Sequence, residues 1–165
     1  MSTGDKSIET NPDFLDLLRF LNANGVEFMV VGAYALAAHG CPRNTKDIDL
    51  FYRATPDNAG RILAALRDFG FEGANLTPDD LLQPKSVIQL GYPPRRIDLM
   101  NAITGVEFSE AWQHRVLATF GDVEVPVIGK DDFVRNKLAT GRLRDLGDIE
   151  VIGENPATYG KPGSA

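Results

Sequence analysis

A single cysteine, Cys41, stands in a chain of 165 residues. It leaves no internal disulfide framework and no Cys-rich zinc site to organise the fold. Long apolar runs are missing too: none approaches the ~18–20 residues that span a bilayer, so no membrane partner is expected. The opening stretch, "MSTGDKSIETNPDF", holds no apolar signal-peptide segment, and the expected location is the cytoplasm. Positive charge is also scarce. A net charge of −6 gives the whole molecule no attraction for nucleic acid and argues against a passive nucleic-acid binder. The cations that do occur are bunched: "RNKLATGRLR", from Arg135 to Arg144, carries four of them and no acid. There is no internal repeat and no low-complexity linker. The chain has the length and the ordinary composition of one soluble globular domain.

Turn and cap residues divide the chain into elements. Residues 1–11 are polar and 153–165 are rich in Gly, Pro and small residues, so both read as tails around a domain at 12–152. Asn11-Pro12 starts a helix whose apolar face is Phe14, Leu15, Leu17, Leu18 and Leu21, ended by Gly25. Val26 to Val31 is apolar throughout and predicts a central strand. Gly32 breaks it, and Ala33 to His39 predicts a short, tightly packed helix. Asp47 to Tyr52 is a second strand. Thr55-Pro56 and Gly70 bound a second amphipathic helix, and Glu72 to Lys85 reads as irregular. Val87–Leu90 and Arg96–Met100 predict antiparallel neighbours, Phe108–Gln113 a short helix, and Val116–Phe120 with Val123–Ile128 a hairpin around Gly121-Asp122. Asp131 to Ile152 predicts two helices broken at Gly141. This order implies an α+β fold: a small mixed β-sheet with helices packed mainly on one side.

Two acids disturb the second strand. Strand side chains alternate, so Asp47 and Asp49 share a face while Ile48 points into the core. Their Cα atoms would be ~6.5–7 Å apart. Carboxylates are costly to place in such a setting unless a cation or a donor compensates them. Asp98, in "RRIDLM", again follows an isoleucine inside a predicted strand. If the two strands are neighbours, three carboxylates converge, as a two-metal phosphoryl-transfer site requires. A D-x-D on a solvated strand face is the competing reading, since the pattern is short and common. The turn upstream favours chemistry: at Gly32 a buried strand passes into a helix, where free backbone N–H groups bind phosphate.

"VGAYALAAHGCPRNTKDIDL" resembles the signature of the nucleotidyltransferase superfamily that includes DNA polymerase β. Three blocks are similar to the bacterial minimal nucleotidyltransferases: H-G-x-x-R-x-T-x-D-I-D, "QLGYPPRRIDLMNAITGVEFSEAW" and "KLATGRLRDLGDIEVI". Some of those proteins act as toxins in abortive-infection toxin–antitoxin systems. The likeness spans roughly residues 12–152 and implies the nucleotidyltransferase fold.

On that resemblance Asp47, Asp49 and Asp98 are catalytic and hold two Mg²⁺ ions, or Mn²⁺ in their place. Asp98 would also serve as base on the acceptor hydroxyl. Gly32 and Ala33 would cradle the phosphates of an NTP such as ATP. The second turn residue is usually Gly or Ser in the family; Ala33 keeps the backbone donor and loses the hydroxyl. Arg43 would reach a phosphate or pair with an acid, and Thr45 belongs to the same pattern. Lys137 and Arg142 fall in a second phosphate-contacting block, or on a charged solvated helix face. Asp145 and Asp148 read as helix ion pairs or a packing network, His39 as a residue satisfying a helix C-terminus, His114 as structural, and Tyr34 as core or rim.

The activity implied is transfer of a nucleoside monophosphate to a hydroxyl of an RNA 3′ end, a protein or a small molecule, with a cognate antitoxin as partner if the chain is a toxin. Arg95, Arg96 and the basic stretch lean towards RNA, and the net charge leans away. The alternatives are a module that binds NTP or a toxin–antitoxin partner with little catalysis, and a magnesium-dependent phosphohydrolase using the same acids.

Overall fold

A computed structural model describes residues 7–41, 46–71, 75–91 and 96–153. In chain order the elements are α1 (Pro12–Ala23), β1 (Phe28–Val31), α2 (Gly32–Ala38), β2 (Asp47–Tyr52), α3 (Pro56–Phe69) and α4 (Pro78–Leu82). They continue with β3 (Val87–Leu90), β4 (Arg96–Met100), α5 (Phe108–Gln113), β5 (Val116–Phe120), β6 (Val123–Val127), α6 (Lys130–Thr140) and α7 (Leu143–Val151).

Local chemistry sets most of these bounds. The Asn11 side chain accepts the Asp13 N–H at 2.8 Å, and Pro12 fills a first-turn position where a missing N–H costs nothing. Thr55 does the same for α3 by accepting from Asn58 N at 3.2 Å, and Gly70 closes that helix in the left-handed conformation at φ 105°. Within the stretch that reads as irregular, α4 forms around a reciprocal cap. Thr77 Oγ1 accepts from Asp80 N, and Asp80 Oδ2 accepts from Thr77 N at 2.9 Å. The first strand starts two residues later than its apolar run suggests. Asn58, fully buried, captures both the N–H and the carbonyl of Glu27, at 2.8 and 3.0 Å, and also donates to the Arg53 carbonyl. A buried amide satisfied this fully pins the start of α3 to the entry of β1.

The strands form one mixed sheet in the order β3-β4-β2-β1-β6-β5. β2 lies near its centre, antiparallel to β1 and parallel to β4. β3 joins β4 and β5 joins β6 as antiparallel pairs, and β1 runs parallel to β6. Ile48 and Leu50 are fully buried, each worth about 1.5–3 kcal/mol relative to exposure. On their face of β2, Tyr52 donates its hydroxyl to the Leu81 carbonyl of α4 at 2.7 Å. Phe51, on the opposite face, meets Phe108 of α5 edge-on at 5.1 Å. Tyr34 is a core residue, set between Phe14 and Phe120 with ring centroids 6.0 Å from each.

Candidate active site

Sheet register brings the acids together. Asp49 is the Cα partner of Asp98 on β4, and on its other side it is the partner of Val31, the last residue of β1. The chain leaves β1 at Gly32, where φ is +70°, a region that costs an L-residue roughly 1–2 kcal/mol. Space makes the same demand there: a Cβ on Gly32 would overlap the Asp49 carboxylate. The glycine turn and the second aspartate are therefore one packed unit. Ala33 follows it, half-buried in the first turn of α2.

The electrostatics follow from this crowding. Burial, the negative charges of Asp98 and Asp47, and a hydrogen bond shared with Asp98 raise the Asp49 carboxyl from 3.8 to about 7. Lys137, on α6, is near enough to oppose that rise. Asp98 is nearly buried, and its Oδ1 has no hydrogen-bond partner among the described residues.

Sequence reasoning placed Arg96 only among cations that lean towards RNA; in the structure it belongs to the acid cluster. Its Nη2 is 2.8 Å from Asp47 Oδ2, and its Nε is 3.3 Å from Asp98 Oδ1. The signal was available as an R-x-D spacing, which puts Arg96 and Asp98 on one face of a strand.

Lys137 and Arg142 both turn to acids. Lys137 Nζ lies 3.4 Å from Asp145 Oδ1 and 3.6 Å from Asp148 Oδ2. Arg142 Nε donates to Asp145 Oδ2 at 2.7 Å and Thr140 Oγ1 donates to the same oxygen at 2.6 Å. Burial alone would raise the Asp145 carboxyl, but the hydrogen bonds from Arg142 and Thr140 and the charge of Lys137 outweigh it and hold the group well below the usual range. This is the helix-packing network expected for Asp145 and Asp148. Arg135 pairs with Asp132 at 2.6 Å, so three of the four cations of residues 135–144 lie against acids. Lys137 remains the one of these cations whose charge reaches Asp49. Its helix is tied to the segment after β4 by Asn136, which donates to the Thr104 carbonyl at 2.8 Å.

His39 caps α2 through its backbone N–H, and its ring Nε2 lies 2.8 Å from the Ile128 carbonyl, tying the helix end to the exit of β6. His114 contacts Asp132 at 3.3 Å. Arg43, Thr45 and Arg95 lie outside the described residues.

Hard carboxylate oxygens are the donor set a Mg²⁺ or Mn²⁺ ion takes, and the unbonded Asp98 Oδ1 beside Asp49 fits such an ion. Among the described residues no three ligating side chains already converge on one cation position. Arg96 stands between Asp47 and Asp98.

The fold is that of the nucleotidyltransferases. The lincosamide antibiotic adenylyltransferase LnuA, bound to lincomycin, superposes with a TM-score of 0.58 at 14% identity over 89% of this chain and 98% of its own. ANT(2'')-Ia in complex with adenylyl-2''-tobramycin gives 0.54 at 13% identity over 84% of each chain. The Thermotoga maritima protein TM1012 gives 0.56 at 16% identity over 90% of this chain and 96% of its own. Residues 14–153 match the family described as nucleotidyltransferase of unknown function (DUF6036), and the chain belongs to that family. No curated protein sequence matches it. The protein is thus an enzyme of the nucleotidyltransferase class.

Proposed function

We propose that this enzyme transfers a nucleoside monophosphate from an NTP to a hydroxyl group of a small molecule, releasing pyrophosphate. The observation that carries the reading is the register pair Asp49–Asp98, with Asp47 on the same face and Gly32 packed against the Asp49 carboxylate. Asp47, Asp49 and Asp98 are the groups that would hold two divalent ions. When bound, such ions supply positive charge to the triphosphate and ease loss of the acceptor's proton. Asp98 would take that proton. Gly32 and Ala33 present backbone at the turn where the phosphates would lie, and Lys137 adds positive charge from α6. Catalysis of this kind rests on positioning and fixed charge.

The small-molecule acceptor is favoured over RNA by the net charge of −6 and by the pairing of Arg96, Arg135, Lys137 and Arg142 with acids. The two antibiotic-bound neighbours support the same class. A toxin role with a cognate antitoxin rests on the sequence resemblance alone.

The test is label transfer. The protein is incubated with Mg²⁺ and each α-³²P-labelled NTP, with a panel of aminoglycosides and lincosamides, total RNA and protein extract as acceptors. Label on a small molecule, lost in Asp49→Asn, is the expected result. Label confined to RNA or protein would replace the acceptor assignment. Release of free nucleotide without labelled acceptor would mark a phosphohydrolase.

A further inference from the structure

Arg96 does more than neutralise a neighbour. It precedes Asp98 by two residues on β4, and the register with β2 sets its Cα opposite Asp47. One guanidinium therefore lies between carboxylates from two adjacent strands. Its grip is unequal. The contact with Asp47 is short, 2.8 Å from Nη2 to Oδ2. Towards Asp98 the distances are 3.3 Å from Nε and 3.5 Å from Nη2, and the first is poorly aligned: Arg96 Nε and Asp98 Oδ1 are both buried without a hydrogen bond. The Asp98 side chain is only 10% exposed. An unbonded carboxylate oxygen in that position is a costly arrangement, and it favours any cation that can complete it.

Arginine cannot leave such a site by losing its proton. It can be displaced by a competing cation if its own charge finds another anion. The triphosphate arriving with that cation is such an anion, and the guanidinium fork matches phosphate oxygens.

The geometry points to Arg96 as a built-in counter-ion: it keeps Asp47 and Asp98 from binding a bare divalent cation and yields them when an NTP brings the ion and a replacement anion together. This rests on the reading of the three aspartates as metal ligands given above. The consequence is positive linkage between ion and nucleotide. Ion alone binds weakly, and nucleotide binding uses the released arginine.

Mn²⁺ binding to the full chain, counted from the free-ion signal in electron paramagnetic resonance without nucleotide, tests this directly. Arg96→Gln removes the charge, and Arg96→Met removes it while keeping an apolar stem should the amide variant not fold. Removing a partly screened charge at this distance should tighten Mn²⁺ by about tenfold. Asp49→Asn added to either variant should abolish the gain, and in the Arg96 single variants the KM for NTP should rise by a comparable factor. An ion pair with only a structural role would lower stability and leave Mn²⁺ affinity unchanged or weaker, and that result would overturn the inference. Label transfer in the wild-type protein is scored separately. Its failure alongside tightened Mn²⁺ would remove the activity and leave the counter-ion role, while its success with unchanged Mn²⁺ would do the reverse.

Discussion

Two clusters in this protein bury an aspartate beside other charged groups, and they push it in opposite directions. On β2, Asp49 faces Asp98 and Asp47, and its carboxyl rises to about 7. At the junction of α6 and α7, Asp145 receives Arg142, Thr140 and Lys137, and its carboxyl falls well below the usual range. The Asp145 side chain is fully buried, with hydrogen bonds to both oxygens. Asp49 is half-buried, crowded by like charge, and backed by a glycine with no room for a methyl group. Burial does not set the direction, since the more buried acid is the one whose carboxyl falls; the sign of the company does. A satisfied acid stabilises the fold, whereas a crowded one is raised towards its neutral form and becomes a candidate for the cation proposed above.

Substitution should separate the two clusters most sharply through activity. Asp49→Asn should lower NMP transfer by at least about a thousandfold, since several kcal/mol of charge stabilisation depend on that carboxylate. Its urea midpoint without divalent ions should hold steady or rise, because a like charge is removed. Asp145→Ala should act the other way round. It leaves Lys137 without its main buried partner, and should cost about 3 kcal/mol of stability in urea unfolding. Retained stability in Asp145→Ala would erase the contrast.

Gly32→Ala tests whether the turn and Asp49 are one unit. The left-handed backbone and the overlap with the carboxylate together should cost about 2 kcal/mol, with transfer falling more than stability alone explains. A well-folded, fully active Gly32→Ala protein would separate the turn from the acid.

The smallest effect is the pH slope. Asp49 has a folded value near 7 and an unfolded one of 3.8, so the native state binds more protons between them. Its contribution is complete below about pH 4 and is lost as pH rises through 7. After allowance for solvent screening, about 1–2 kcal/mol should disappear from pH 4.5 to 7.5 in chelator, and Asp49→Asn should flatten that slope. Asp145, with its lowered carboxyl, contributes the reverse: stability present above about pH 4 and lost on acidification. Paired urea titrations of wild type and Asp49→Asn at the two pH values measure the difference.

Much of the fold was legible because its punctuation is local. Asn11-Pro12, Thr55-Pro56, Gly70 and Gly141 mark helix ends through caps and backbone conformations that need no distant partner. The reading of Thr77 to Leu82 as irregular overlooked a local signal, the Thr77–Asp80 cap. The late start of β1 was hidden for the opposite reason. Glu27 is apportioned to Asn58, thirty-one residues away, by a contact that no window around Val26 contains. The cations divide similarly. Composition shows a basic stretch at 135–144, and only packing shows that Arg135, Lys137 and Arg142 have partners.

Residue type and the two-residue period of a strand determined that Asp47 and Asp49 share one face of β2, and that Asp98 and Arg96 share one face of β4. Those facts hold whatever the neighbours are. Which strand lies beside β2, and in what register, is a non-local choice made by the whole sheet. A shift by one residue would send every side chain of β4 to the other face. Only the tertiary structure set Asp49 opposite Asp98 and Arg96 opposite Asp47. That pairing turns three dispersed carboxylates and an arginine into one cluster, because Coulomb interactions and hydrogen bonds act over ångströms of space and not along the chain.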